Sequence, residues 1–552
     1  MAETQNEIIS KVTAGYLAEL DPADPPGPFE VERTLIDRVN KEFSVENAGR
    51  VRGNKIPLLQ QLTYSQIAEV LMILHHARRI APIGEDRDED HPLLGIYNPA
   101  TGLHETSDTS IKSMARRYNR HLRISGANEV LDLLRGAAPW RTVCDDHDLV
   151  AVQNGIFDYR TKTAHEFTPD YVFLVKTPVD FDPEAESPVI AMPDGEQWEV
   201  EGWMRSLSDD AEVVELLWQV IGAVIRYGVR WNKAAFLYSE RGNNGKGTLL
   251  QLMRNLSGKW ANLPLNKIAE EFMLEFLIGA QSILTDENPV GNFVTDSSRF
   301  KALITHDAVT MNRKFMRAVN YQFWGFMVQC INDLPRSKDK SESIYRRQLF
   351  IPFEKWFGGT ERKYIKDDYL HRQDVLRYVL KRVLVDMPDY YELAEPAACK
   401  RLLAEHQVNN DPVREFWEEF EDRFLLDMLP VEFLYDLYVA WSDRTNPGGA
   451  KMKQRAFMKQ VDALAESSGI WVRERGAKGE DTKRYDASCI NGCREPLVPE
   501  YELKQWSNRT YNFAGTSLHR ELVQAPTQKL RGLVRRQPVG TGVAGTAGDD
   551  DA

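Results

Sequence analysis

The chain has 552 residues, 42% of them hydrophobic and 27% charged, with a formal net charge of −13. That is the balance of an ordinary globular protein of about three or four domains, and it argues against a protein that coats nucleic acid over its whole surface. Five scattered cysteines argue for reduced thiols over a disulfide framework, and no apolar run of spanning length or signal-like start appears, so a cytoplasmic protein without a membrane partner is expected.

Residues 1–30 contain Asp21-Pro22-Ala23-Asp24-Pro25-Pro26-Gly27-Pro28, which cannot hold a helix, and read as a flexible N-terminus. Helical patterns follow, among them Ile67, Val70, Leu71 and Leu74. Asn98-Pro99-Ala100-Thr101-Gly102 between apolar flanks then reads as a hairpin turn. A basic helix should carry Lys112, Arg116, Arg117, Arg120 and Arg123, and a strand pair surrounds Asn154-Gly155. No D-x-D carboxylate pair with a metal-binding partner set stands in this third of the chain, so it is expected to hold no primer-making site. Pro193-Asp194-Gly195 marks a boundary, placing an α+β N-terminal region at 31–195. The amphipathic helix that follows, with Val213, Leu217, Val220 and Val224, leads into the stretch that organises the chain.

That stretch is Ala234-Ala235-Phe236-Leu237-Tyr238, a buried-strand pattern, then Ser239-Glu240-Arg241-Gly242-Asn243-Asn244-Gly245-Lys246-Gly247-Thr248, then Leu249, Leu252, Met253 and Leu256 at helical spacing. Strand, glycine-rich turn and helix form a phosphate cradle: backbone N–H groups and the helix N-terminus face the anion, and Lys246 neutralises the outer phosphates. Gly242, Asn243, Asn244, Gly245, Lys246, Gly247 and Thr248 are the candidate ATP-binding residues. Glu240 stands where the usual loop has its first glycine, leaving Gly242 as the permissive turn residue. Gly247 stands where the magnesium-holding hydroxyl belongs, with Thr248 one residue later. Gly247→Ser should therefore be tolerated and Lys246→Ala should abolish hydrolysis.

Downstream, Ile283-Leu284-Thr285 ends in Asp286 and Glu287, the adjacency an ATPase needs for one carboxylate near Mg2+ and another at the attacking water. Phe326-Met327-Val328-Gln329-Cys330-Ile331 delivers Asn332, and Arg346 and Arg347 stand at the entrance of the strand that continues to Pro352-Phe353. In this order, the four motifs resemble the superfamily 3 helicase domain of phage and plasmid primase-helicases and poxvirus-type replication helicases. The resemblance implies an AAA+-like P-loop ATPase core of α/β class at 196–395, working as a hexameric ring on single-stranded or forked DNA with ATP and Mg2+. It assigns Lys246 and Thr248 to phosphates, Asp286 and Thr248 to the metal, Glu287 to the water, Asn332 to the γ-phosphate, and Arg346 or Arg347 to a finger reaching a neighbouring subunit. It also places a DNA-tracking hairpin at Arg313, Lys314, Phe315 and Arg317, where cations beside an aromatic would grip a strand.

Beyond the motor, residues 396–495 read as a winged-helix-like domain: helices, a turn at Asn446-Pro447-Gly448-Gly449, a basic helix around Lys451 to Lys459, and Ile470-Trp471-Val472-Arg473 paired with Arg484-Tyr485. Residues 496–552 read as a tail, disordered toward its end. The function expected is an ATP-dependent replicative DNA helicase of a phage-like or plasmid-like element, in which other replication proteins are potential partners. The alternatives are an ATP-dependent DNA-binding, packaging or origin-recognition module without unwinding, and a nucleotide kinase using the Lys-Gly-Thr loop.

Overall fold

The computed structural model describes residues 3–22, 24–81, 93–289, 293–294, 296–313, 316–337, 339, 341–359, 362–410, 412–445, 451–474, 476, 483–507 and 520–536. The chain forms two compact units, Met1–Leu403 and Ala404–Ala552. Among the described residues no helix is long and apolar enough to cross a membrane.

The first unit opens with a helical layer. The segment expected to be a flexible N-terminus carries the helix Gln5–Glu19, started by a capping box between Thr4 and Glu7. Such a box satisfies two backbone N–H groups that the first turn would otherwise leave unpaired. Its Tyr16 and Leu17 join the core formed by Val31 and Leu35 of helix Pro28–Ala48, Val70 of Tyr64–Leu74 and Val130 of Ile124–Ala137. The proline-rich stretch only separates these first two helices, with Pro28 itself at the start of the second. The hairpin expected at Asn98 to Gly102 forms between Leu93–Asn98 and Leu103–Glu105. The expected basic helix is shorter than its charge pattern: Asp108–Arg117 ends before Arg120.

The centre of the unit is a five-stranded, all-parallel sheet. Its strands in chain order are β1 (Ala234–Tyr238), β2 (Trp260–Ala261), β3 (Ser282–Thr285), β4 (Phe326–Ile331) and β5 (Gln348–Pro352). In space they run β2-β3-β4-β1-β5. Side chains of β1 alternate between two cores. Ala235 and Leu237 pack in the core shared with α1 (Ala211–Ile225) and α2 (Lys246–Leu256), whereas Ala234 and Phe236 pack with Ile283, Phe300 and Phe350. A parallel strand covered on both faces must be apolar at every position, which is why Ala234 to Tyr238 reads as an unbroken run. The core containing Leu237 and Leu249 also takes in Val150, Phe157, Ile190 and Met192, so it extends across residues 195–196.

The second unit has its own core, built on helices Pro412–Phe420, Val431–Thr445 and Gln454–Ser468. The apolar stripe Phe433, Leu434, Leu437, Tyr438 and Trp441 is buried in it. Two expectations change here. Trp471–Val472 and Tyr485–Asp486 do not pair as strands with each other; the first pairs antiparallel with Gly532–Arg535 and the second with Lys529–Leu530. The segment read as tail thus supplies the middle strand of a three-stranded sheet, between Met428–Pro430 and Trp471–Val472. Its Leu530 and Leu533 are buried, a local alternation that the glycine-rich composition of the following residues masks when the last thirty are averaged. Residues 537–552 lie outside the described residues.

Candidate nucleotide site

The loop leaves the carboxyl end of β1, the edge at which open parallel sheets present their ligand crevice. Between Tyr238 and the first residue of α2, two residues take left-handed backbone, Asn243 at φ +56° and Gly245 at φ +89°. Gly245 caps α2, and a Cβ there would lie 2.7 Å from Leu207 Cδ2, so backbone conformation and packing both demand glycine. Gly242, expected to be the permissive residue, is not in the left-handed region and has open space where a Cβ would sit. The sharp turn has moved down the loop to Asn243 and Gly245. Asn244 is buried, its amide donating to the Arg241 carbonyl, and the Phe357 N–H donates to the Asn243 carbonyl at 2.7 Å.

The three segments expected to act together do converge. Lys246, buried at the first position of α2, donates from Nζ to Asn332 Oδ1 at 2.9 Å and to the Ser239 carbonyl at 3.3 Å. Burial lowers its ammonium below the ordinary lysine range. Asn332 follows β4 and Asp286 follows β3, so both leave the same sheet edge as the loop. A Cβ on Gly247 would lie 3.1 Å from Asp286 Oδ1. The carboxylate therefore occupies the space beside the first turn of α2 that a side chain at 247 would need. Arg254, on the same helix, reaches Asp286 Oδ2 at 3.6 Å while its guanidinium covers Trp260 at 4.5 Å. Glu287 is exposed and Thr248 half-buried. A small divalent cation prefers one or two carboxylates with waters and phosphate oxygens. Asp286 is the group that fits such an ion, with Thr248 in the same first turn and no hydroxyl at 247.

The arginines lie elsewhere. Arg346 and Arg347 precede β5, at its amino end, whereas the loop leaves the carboxyl end of the adjacent, parallel β1. At about 3.3 Å per residue, five residues of strand separate the two edges by roughly 15 Å. Arg347 is half-buried and donates to the Ser343 carbonyl and, at 2.7 Å, to Ser343 Oγ. Arg346 is exposed; its backbone N–H donates to the Glu342 carbonyl at 3.1 Å and its carbonyl accepts from Lys233 Nζ at 3.0 Å.

The candidate DNA hairpin exists as backbone: Ala308–Arg313 pairs antiparallel with Met316–Gln322. Lys314 and Phe315 lie outside the described residues, as do the side chains of Arg313 and Arg317. Sequence reasoning missed Arg254, Leu207 and Phe357. Arg254 was within reach of it, two helical turns after Gly247 and so on the same face of α2. Leu207 and Phe357 come from segments with no motif and meet the loop only in the fold.

Three family profiles match the sequence in succession: D5 N terminal like over residues 64–206, a family of unknown function (DUF5906) over 237–347, and Poxvirus D5 protein-like over 408–488. The second of these spans the loop, Asp286, Asn332 and both arginines. No curated protein matches the sequence. Among solved structures, the apo structure of the NrS-1 C terminal region (305-718) is similar at 13% identity and a TM-score of 0.43, covering 86% of this chain and all 100% of that one. The A form apo structure of the same region has 13% identity and a TM-score of 0.41, over 80% of this chain and 94% of that one. A JCV helicase crystal structure has 14% identity and a TM-score of 0.25, over 38% of this chain and 58% of that one.

Proposed function

From a chain that belongs with the D5-type superfamily 3 primase-helicases, we propose an ATP-dependent replicative DNA helicase: a ring ATPase, hexameric in its working form, that translocates on single-stranded DNA for a phage-like or plasmid-like element. The observation that carries this reading is the meeting of Lys246, Asn332 and Asp286 at the N-terminus of α2. The strand order β5-β1-β4-β3-β2, all parallel, supports an AAA+-like P-loop core.

Each group has a stated task. Backbone N–H groups at Gly245 to Thr248 and the helix N-terminus take the phosphates, and Lys246 neutralises the outer ones. Bound Mg2+ would neutralise charge developing on the phosphates, held by Asp286 with Thr248 and water. Glu287 orients and deprotonates the attacking water, and Asn332 hydrogen-bonds the γ-phosphate. Arg346 is the finger: it is exposed and too far from its own loop, so it serves a neighbouring subunit's nucleotide. Arg347, tied to Ser343, braces it. The hairpin carrying Arg313, Lys314, Phe315 and Arg317 grips the DNA strand. The second unit, three helices with a three-stranded antiparallel sheet, is a winged helix whose Lys451, Lys453, Arg455 and Lys459 lie on DNA.

Single-turnover strand displacement on a tailed duplex tests the reading, together with particle mass in ATP and single-stranded DNA. DNA-stimulated hydrolysis with displacement by a ring is expected. Hydrolysis without displacement would assign the chain to a DNA-holding module, and phosphoryl transfer to a nucleotide without DNA would make it a kinase.

A further inference from the structure

Two residues of α2 face the carboxylate that follows β3, and they meet different oxygens of it. A Cβ on Gly247 would lie 3.1 Å from Asp286 Oδ1 and 3.7 Å from Oδ2, so Oδ1 is turned toward the first turn of the helix. Oδ2 is the oxygen that Arg254 reaches, at 3.6 Å, and Arg254 is the one ion-pair partner of Asp286 among the described residues. Both residues lie on α2, two turns and roughly 10 Å apart along the axis of one helix face. Helical side chains lean toward the N-terminus, so a long arginine at 254 covers that gap and arrives on the carboxylate from behind the first turn.

The arginine is itself held. Its side chain is 15% exposed against 38% for Asp286, and its guanidinium lies over Trp260, 4.5 Å from the ring centre. Nε is buried with no hydrogen-bond partner among the described residues, so the head is fixed by stacking and by the carboxylate. Its stem leaves a helix anchored by the buried Leu249, Leu250, Leu252 and Met253. Arginine suits this double task, because a planar guanidinium stacks on an aromatic face, still presents N–H groups at its edge, and keeps its charge at any working pH. Position 247, where the common loop has a hydroxyl, has no side chain with which to hold the carboxylate.

We propose that Arg254 is the positioning residue for the metal carboxylate: by holding Oδ2 it points Oδ1 toward the phosphate end of α2, a task that a hydroxyl at 247 would otherwise share. The inference rests on the nucleotide reading of the loop and gives α2 a part in it that the loop motif does not contain. Arg254 acts through Asp286 and not on the phosphates. Its positive charge opposes the cation it serves, so the benefit lies in orientation and is modest; outer partners of ligating carboxylates are worth about 10- to 100-fold in metal affinity.

Arg254→Met supplies the test, since methionine keeps an unbranched apolar stem on α2 and removes the charge. The affinity of the full chain for ADP is to be measured by calorimetry twice, with saturating Mg2+ and with a chelator, and the ratio of the two read as the metal-dependent gain. In Arg254→Met the gain should fall by about tenfold while the chelator value stays within about twofold of wild type. The Mg2+ concentration that gives half-maximal ATPase should rise alongside. Adding Gly247→Ser to Arg254→Met should recover the gain, because a hydroxyl at 247 then takes hold of Asp286, whereas the same serine in wild type should change it less. An undiminished gain, a loss of ADP affinity that is equal in chelator and in Mg2+, or a serine whose effect is the same in both backgrounds would each overturn the assignment. A wild-type chain that holds ADP with no metal-dependent gain would remove Asp286 from the metal and Arg254 with it, and one that holds no ADP under either condition would overturn the nucleotide reading itself.

Discussion

Lys246 Nζ and Asn332 Oδ1 are joined by a 2.9 Å hydrogen bond, so the cation of the loop helix and the polar end of β4 meet. On the proposed reading, a phosphate arriving at Lys246 would compete with the amide oxygen for the ammonium and free Asn332 to turn its NH2 group toward the γ-phosphate. Asn332→Ala should therefore spare binding more than chemistry. We expect kcat for ATP to fall by about 100-fold or more, the usual cost of one preorganised donor, with Kd raised only a few-fold. Lys246→Ala should lose both. Calorimetry and steady-state ATPase assays distinguish the two, and an Asn332→Ala protein with wild-type kcat would remove Asn332 from the reaction.

Gly247 behaves differently once Asp286 is seen beside it. On the motif alone a serine restores the common hydroxyl and should be tolerated. In the fold, any Cβ at 247 lies 3.1 Å from Asp286 Oδ1, so the carboxylate must withdraw by a few tenths of an ångström from a position that Arg254 also holds. Gly247→Ala should lower kcat by about tenfold through that displacement alone. Gly247→Ser should retain more activity, because its hydroxyl can donate to Asp286 and offer the metal an oxygen. Equal rates in the two variants would show that Asp286 retreats without consequence.

These two residues also mark how far the sequence could be read. The β1–loop–α2 unit, the acids after β3 and the asparagine after β4 were legible because each is local: an apolar run closed by a turn, with a functional group at its end. Their order along the chain even anticipated a common sheet edge. What was not legible is the space between elements. The left-handed turn falls at Asn243 and Gly245, away from Gly242, where Leu207 and Phe357 pack against the loop, and neither residue belongs to a motif. The N-terminal helix could have been read from Thr4 and Glu7, but the prolines that follow outweighed that signal.

The two arginines before β5 should separate by phenotype. Arg347 is held by Ser343, so Arg347→Ala should lower the melting temperature and reduce ATPase only in proportion. Arg346 makes no such contact, so Arg346→Ala should melt as wild type yet lose about 1,000-fold in kcat, the cost of a missing finger. Mixing provides the decisive measurement. Arg346→Ala subunits combined with Lys246→Ala subunits should regain partial ATPase, since each supplies what its neighbour lacks. No recovery in stable mixed rings would deny the trans role.

Acid should loosen the N-terminal layer through His104. Its side chain is buried against Tyr97, and neither ring nitrogen has a hydrogen-bond partner among the described residues. Burial, reinforced by Arg78 and His76, lowers the imidazole to about 4, whereas an unfolded chain titrates near 6.5. Above about pH 6.5 both states are neutral and stability is unaffected. As pH falls from there toward 4 the unfolded state binds the extra proton, so stability drops by up to about 3 kcal/mol. His104→Leu should flatten that part of the melting-temperature profile, leaving the contributions of His75, His306 and His406, which burial also lowers to about 4. An unchanged slope would mean that His104 finds a proton acceptor in solution.

The last described strand, Gly532–Arg535, should prove structural. It lies between two strands, pairing Leu533 with Leu429 and Arg535 with Trp471, over whose ring the Arg535 guanidinium sits at 4.4 Å. A Cβ on Gly532 would come 2.0 Å from the Leu429 carbonyl oxygen, so only glycine permits the approach. Leu533→Ala should then cost about 2–5 kcal/mol, the range for emptying a buried leucine site. Gly532→Val should cost at least as much by forcing the strands apart. Calorimetric melting of the full chain would show the second unit's transition moving down while that of the first unit stays in place. A chain ending at residue 528 should lose that transition, because removing the middle strand leaves Met428–Pro430 and Trp471–Val472 without their common partner. An unshifted transition in the truncated chain would return these residues to the role of a tail.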